Sequence, residues 1–209
     1  MSHDDPRIPR QRPYCSPLRR QQAQTTRTQI ALAARDLFRA RGWARTRVRD
    51  VAEQAGVSEA SVYAAYGSKA GLARALIDAV ESSADVLRSP SQISATDPAG
   101  QLAGLVESDR RLFADGGDVI ALLRDAGRAE PDLLDAYREG RAHGDELRRD
   151  TFATWPASTL RNGVNVQDAV DAYAALCNID VYRELIERHW TPDQIQAWWT
   201  STLALTLLA

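Results

Sequence analysis

The residues with the most chemistry to offer are not nucleophiles or metal ligands but a wedge of small side chains bracketed by cations. Two short helices that cross steeply need a small residue at the crossing. They also need a residue tolerant of positive φ at the turn and an apolar side chain that closes the wedge. Ala52, Gly56 and Val62 stand at those separations, and Val51 and Val57 can plug the same small core. This is the pattern of a helix-turn-helix, whose second helix enters the major groove of duplex DNA. The chemistry it implies is recognition. Ser58, Glu59, Ala60 and Ser61 open the second helix and are small or polar enough for close approach to bases or phosphates. Arg47 and Arg49 open the first, where guanidinium and unpaired amides both favour phosphate. Tyr63 is expected to direct its hydroxyl at the DNA backbone, and Tyr66 to bury its ring in the core. Lys69 is the one lysine beside 25 arginines. It opens a further helix, where the dipole disfavours a cation by about 0.3–1 kcal/mol; a nearby phosphate would reverse that cost.

Bond-making chemistry has no comparable signature. The three histidines, His3, His143 and His189, lack partners at metal-ligand spacing such as HExxH. No glycine-rich phosphate loop and no GxSxG elbow occurs. The expectation is a non-enzyme with no catalytic residues, no cofactor and no metal. Cys15 and Cys177 lie in unlike contexts, which argues against a disulfide framework and for a reducing cytoplasm. The first residues lack the apolar run of a secretory signal, and no stretch approaches the ~18 apolar residues of a membrane span.

Helices must position these groups. Apolar residues recur at helical spacing through Ile30, Ala33, Ala34, Leu37 and Phe38, stopping at Gly42. Thr46 and Ser58 are expected to cap the two helices of the motif, and Ser68 a fourth that runs to about Leu87. Asp97-Pro98 opens a fifth that ends near Ala114, and Gly116-Gly117 is expected to separate it from a sixth. Pro131 opens a seventh, which carries His143 between Gly140 and Gly144, a weak spot that either bends around a guest or is an accident of packing. Asn165 caps an eighth expected to run unbroken to His189. Thr191-Pro192-Asp193-Gln194 starts a ninth that runs to the C-terminus. No alternating strand pattern competes, so the expected fold is all-α with about nine helices.

The run from Ile30 to Leu72 resembles the DNA-binding region of the TetR family of bacterial regulators. The residues that carry the resemblance are Ile30, Ala33, Leu37-Phe38, Gly42, Thr46, Val51-Ala52, Ala55-Gly56-Val57-Ser58, Val62-Tyr63, Tyr66, Lys69 and Leu72. The last nineteen residues also resemble that family's final helix, more weakly. The resemblance implies a three-helix DNA-binding domain followed by a helical ligand-binding and dimerisation domain, and a two-fold dimer on double-stranded DNA. It implies DNA contact through the positions of Arg47, Ser58, Ala60, Ser61, Tyr63 and Lys69, and release by a small organic inducer. Arg47 and Ser61 depart from the residues common at those family positions, so operator preference does not transfer.

Three segments follow: a basic, proline-rich arm at 1–24 expected to be disordered, a DNA-binding domain at 25–72, and a ligand-binding and dimerisation domain at 73–209. The arm either brushes DNA phosphates or is simply an extended start. Up to residue 72 there are 13 basic and 6 acidic residues, and beyond it 13 and 22, so the two ends suit different partners. A ligand pocket is expected among Phe113, Arg124, Tyr137, His143, Phe152, Trp155, Tyr173 and Cys177, aromatic walls with a few polar groups. The eighth and ninth helices are apolar on two sides. A homodimer seam is therefore expected through Val170, Ala174, Val181, Ile195, Trp198, Trp199, Thr202 and Leu205.

Overall fold

A computed structural model describes residues 17–87 and 97–209. Among them the chain forms nine helices and no strand: α1 Pro17–Arg45, α2 Val48–Ala55, α3 Glu59–Tyr66, α4 Lys69–Leu87, α5 Pro98–Ala126, α6 Pro131–Ala153, α7 Val166–Leu176, α8 Ile179–Glu187 and α9 Pro192–Leu207. The all-α expectation holds, and most helix starts follow from side chains that accept orphan backbone donors. Ser58 Oγ accepts from Ser61 N at 3.1 Å and Ser68 Oγ from Gly71 N at 2.9 Å. Asp97 Oδ1 accepts from Gly100 N at 2.9 Å, and Asn165 Oδ1 from Asp168 N at 2.9 Å. At α9 the exchange is reciprocal, Gln194 N donating to Thr191 Oγ1 and Thr191 N to Gln194 Oε1.

Four boundaries differ from the sequence reading. Residues 17–24, assigned to a disordered arm, are the first turns of α1; residues 1–16, Cys15 among them, lie outside the described residues. Thr46 does not cap α2. Its buried hydroxyl donates back to Gly42 O at 2.9 Å, and Asp50 instead accepts the Arg47 amide. Gly116-Gly117 does not end a helix, because α5 runs through it. A Cβ on Gly116 would sit 2.5 Å from Val80 Cγ1, and one on Gly117 2.8 Å from Ile179 Cδ1. The pair therefore lets α4 and α8 approach α5 closely. The expected eighth helix is two helices, broken at Cys177-Asn178, where Asn178 Oδ1 accepts from both Asp180 N and Val181 N at 3.0 Å.

Apolar burial divides into two clusters. One joins α1–α4 to the last turns of α5 and the first of α6, through Val119, Leu122, Leu123, Ala126, Leu133 and Ala136. The other joins the first half of α5 to the end of α6 and to α7–α9 around Phe152, Tyr173 and Trp199. Helix α5 thus belongs to both. It is also bolted to α1 by a bidentate pair in which Arg35 Nε and Nη2 donate to Asp118 Oδ2 and Oδ1 at 2.8 and 2.7 Å.

Candidate nucleic-acid interface and ligand cavity

The wedge between α2 and α3 has the form its residues anticipate. Val51, Ala52 and Val62 are buried, with Ala55 and Val57 packed against them. Gly56 adopts φ +67°, ψ +32°, the left-handed region where a side chain is strained. With its apolar side so anchored, α3 presents the remainder outward. Ser58, Glu59, Ala60 and Tyr63 are exposed and Ser61 is half-buried, bonded through its hydroxyl to Ser58 at 2.9 Å. Tyr63 keeps 48% of its surface, the highest value among the aromatic side chains described as exposed. Arg47 and Arg49 are exposed at the start of α2. Tyr66, half-buried against the core, donates its hydroxyl to Arg27 O of α1 at 2.8 Å. Burial raises its pKa above the ordinary tyrosine value.

Lys69 is engaged within the chain. Its Nζ donates to Trp43 O at 2.5 Å and lies 4.0 Å from the centre of the Trp43 ring. Trp43 in turn stacks on Phe38 at 5.4 Å. The lysine so ties the first turn of α4 to the end of α1, and burial holds its pKa below the ordinary value. An ammonium has three donors; one is committed here.

A cavity of about 320 Å³ lies where the two apolar clusters meet. Ile77 and Val80 of α4, Phe113 and Leu123 of α5, Tyr137 of α6 and Cys177 after α7 are among its walls. One side is polar. Arg148 donates to Asp109 Oδ2 at 2.7 Å and to Asp145 Oδ1 at 2.8 Å, while its guanidinium stacks 4.5 Å over the Tyr173 ring. The Tyr173 hydroxyl donates to the same Asp109 oxygen at 2.9 Å. Burial alone would lower the Arg148 pKa, but Asp109, Tyr173 and Asp145 outweigh it and raise it. Burial and then Asp109 push Tyr173 and the Cys177 thiol well up, so both stay neutral.

Residues 30–76 match the family model of bacterial regulatory proteins, tetR family. The matched stretch holds the helix-turn-helix, so the similarity lies in the DNA-binding region of that family. In the HTH-type transcriptional regulator TtgR of Pseudomonas putida, 39% of residues are identical over 88 residues. That stretch is 42% of this chain and 42% of TtgR, so the match spans less than half the length of the curated relative. Solved structures carry the likeness through the whole fold. One, from Rhodococcus sp. and described as a TetR-family transcriptional regulator, gives a TM-score of 0.72 at 19% identity over 87% of this chain and 98% of that one. A transcriptional regulator from Saccharomonospora viridis, solved in complex with choline, gives 0.71 at 18% over 89% and 99%.

The structure sorts the sequence-chosen residues. Phe113, Tyr137, His143 and Cys177 line the cavity. Arg124 does not; it is drawn away to Asp180 of α8 and Asp125. Phe152, Trp155 and Tyr173 form core behind the cavity, with Phe152 4.6 Å from Trp155 and 6.3 Å from Tyr173. Of the seam residues, Val170, Ile195 and Trp199 face inward, at 1%, 0% and 0% exposure, because α9 packs on α5 and α7 packs on α6 and α9. Ala174 lines the cavity. Val181, Trp198 and Thr202 are half-buried and Leu205 is 72% exposed, so they remain available to a partner. Sequence reasoning missed Asp109, Asp145 and Arg148. A salt bridge spanning α5 and α6 has no local spacing to reveal it. The one hint was Gly144, where a Cβ would lie 3.1 Å from Arg148 Nη1. The glycine makes room for the guanidinium, and α6 runs continuously past it. Among the described residues no cluster of histidine, cysteine and carboxylate side chains is arranged to hold a metal. No helix among them is long and apolar enough to cross a membrane.

Proposed function

We propose that the chain is a cytoplasmic transcriptional repressor that binds a pseudo-palindromic operator as a homodimer and is released by a small organic ligand. The observation that carries this reading is the span of α4. Its first residue, Lys69, is tied to the end of α1, and about 12–16 Å along the helix Ile77 and Val80 form part of the cavity wall. A guest in the cavity and a duplex under α3 therefore act on one rigid rod. The half-buried and exposed residues of α8 and α9 supply a second copy with its seam. A two-fold dimer would set the α3 helices about 34–36 Å apart, one turn of the double helix. Arg47, Arg49, Ser58, Glu59, Ala60, Ser61 and Tyr63 then meet phosphates and base edges. Lys69 joins them through the donors Trp43 leaves free.

Release requires that the ligand favour one of two conformations; equal affinity for both would shift nothing. The choline held by the Saccharomonospora viridis protein supports reading the cavity as a ligand site. A volume of about 320 Å³ beside a polar wall falls at the small end of organic-ligand pockets. A DNA binder without a ligand would leave that space unexplained.

The test is gel retardation of DNA from immediately upstream of the reading frame, with choline as the first probe and a panel of small organic amines and acids to follow. Wild type should retard the fragment in a salt-sensitive manner. Arg47→Ala and Tyr63→Ala should each weaken binding, and a compound that raises the melting temperature should also release the DNA. Binding that is unchanged by every compound that stabilises the protein would overturn the inducer model.

A further inference from the structure

The wall of the cavity is not electrically balanced. Its charged side chains are Asp109, Glu139 and Asp145 against Arg141 and Arg148, three acids to two arginines. Glu139 and Arg141 are exposed on α6, two residues apart and opposite in sign. The other three form one cluster. Arg148, only 8% exposed, donates to Asp109 Oδ2 at 2.7 Å and to Asp145 Oδ1 at 2.8 Å. Two carboxylates on one guanidinium leave an excess of negative charge. The stretch 81–96, which follows the wall residue Val80 in the chain, holds Glu81, Asp85 and Arg88, so its own balance has the same sign.

The two carboxylates differ in reach. Asp109 is 3% exposed and also accepts the Tyr173 hydroxyl at 2.9 Å. Asp145 keeps 31% of its side chain exposed, so water can solvate it. A guest that fills the cavity displaces that water, and a charge facing an apolar guest without compensation is costly. A positive group on the guest offsets the cost, and a negative one adds to it. The guanidinium offers an anion little in return. Two of its N–H groups are taken by carboxylates, and it is stacked on the Tyr173 ring at 4.5 Å. The rest of the lining is mostly apolar, and its aromatic rings, Phe113 and Tyr137, favour a cation over a neutral group of the same size.

We propose that the cavity takes a small apolar compound bearing one positive charge, an aryl- or alkylammonium, and that Asp145 selects for the charge. This rests on the reading of the cavity as a ligand site. The ammonium group donates to the Asp145 carboxylate, and the apolar remainder replaces water against Phe113 and Leu123.

Three probes of similar size separate charge from shape: phenethylamine, a cation at neutral pH, phenethyl alcohol, which is neutral, and phenylacetate, an anion. Each is titrated into the full chain by calorimetry. Wild type should bind the amine about tenfold or more tightly than the alcohol, the usual worth of a hydrogen bond to a charged group, and phenylacetate most weakly. Asp145→Asn keeps the shape of the side chain and should erase most of that margin. Glu146→Gln removes the same charge from an exposed residue outside the cavity wall and should preserve it. The ratio in the wild type needs no variant to fold. Alcohol or phenylacetate binding as tightly as the amine would overturn the proposal while leaving the ligand-site reading intact. A margin lost equally in Glu146→Gln would also overturn it, because the preference would then belong to the acidic surface. No measurable binding of any of the three would overturn both.

Discussion

At the scale of single residues, the Asp109–Arg148 pair carries most of the electrostatic risk in the molecule. Both partners are nearly fully buried, and the carboxylate also receives the Tyr173 hydroxyl. Removing Asp109 leaves the buried guanidinium with the partly exposed Asp145 alone, which costs up to about 3–5 kcal/mol. Asp109→Asn should lower the urea midpoint by a corresponding amount, and a change near the ~0–1 kcal/mol of a surface pair would contradict the geometry. Gly144→Ala attacks the same pair from outside, since its new methyl group meets the guanidinium at 3.1 Å. A loss of about 1–3 kcal/mol is expected, as for overpacking elsewhere. The Tyr173 phenol adds a pH dependence. Its folded pKa is raised above the unfolded value near 10, so its contribution is complete below pH 10 and is lost as pH climbs beyond it. Stability of the wild type should fall more steeply above pH 10 than that of Tyr173→Phe, measured by urea titration at each pH.

At the scale of elements, the decisive features are places where two helices meet closely or part. Gly116 lets α4 lie against α5 with Val80 in the space a methyl group would fill. Gly116→Ala should destabilise by about 1–3 kcal/mol, and Val80→Ala in the same chain should recover part of the loss. A double-mutant cycle measures that coupling, and strict additivity would deny the contact. The break between α7 and α8 depends on Asn178, whose side chain holds two amide donors. Asn178→Ala should cost about 1 kcal/mol, the usual value of an N-cap, without loss of the fold. The periodic apolar pattern from Val166 to Ile186 concealed this break, because α7 and α8 bury their apolar faces in the same cluster. Hydrophobic period reports burial and is blind to a cap lying within the run.

For the whole molecule, two apolar clusters share α5, with the cavity where they meet and with the basic excess of the sequence on the side of the helix-turn-helix. Pairing of two copies through α8 and α9 is a proposal that Leu205→Glu tests without touching the core, the side chain being 72% exposed. Sedimentation should show monomers with unchanged helical content and with DNA affinity reduced by loss of the second helix-turn-helix. A variant that stays dimeric would move the seam elsewhere. Lys69 is one tie between cavity and helix-turn-helix, beside the Arg35–Asp118 pair of α1 and α5. Lys69→Met should therefore weaken DNA binding and also blunt the release caused by any ligand found.

The amino-acid sequence by itself determined the helix-turn-helix, because its packing is local. Ala52, Gly56 and Val62 lie within eleven positions, and the constraints on size, φ and polarity act between near neighbours. Caps such as Asp97, Asn165 and Thr191 were legible for the same reason, each bonding an amide three residues on. Only the tertiary structure decided which aromatic residues line space and which fill it. Phe113 borders the cavity and Phe152 is core, yet both are apolar residues on one face of a long helix. Side-chain type fixes that a residue is buried; the angle and spacing of distant helices fix what it is buried against, and the Asp109–Arg148 bond across 39 residues exists only once they are set.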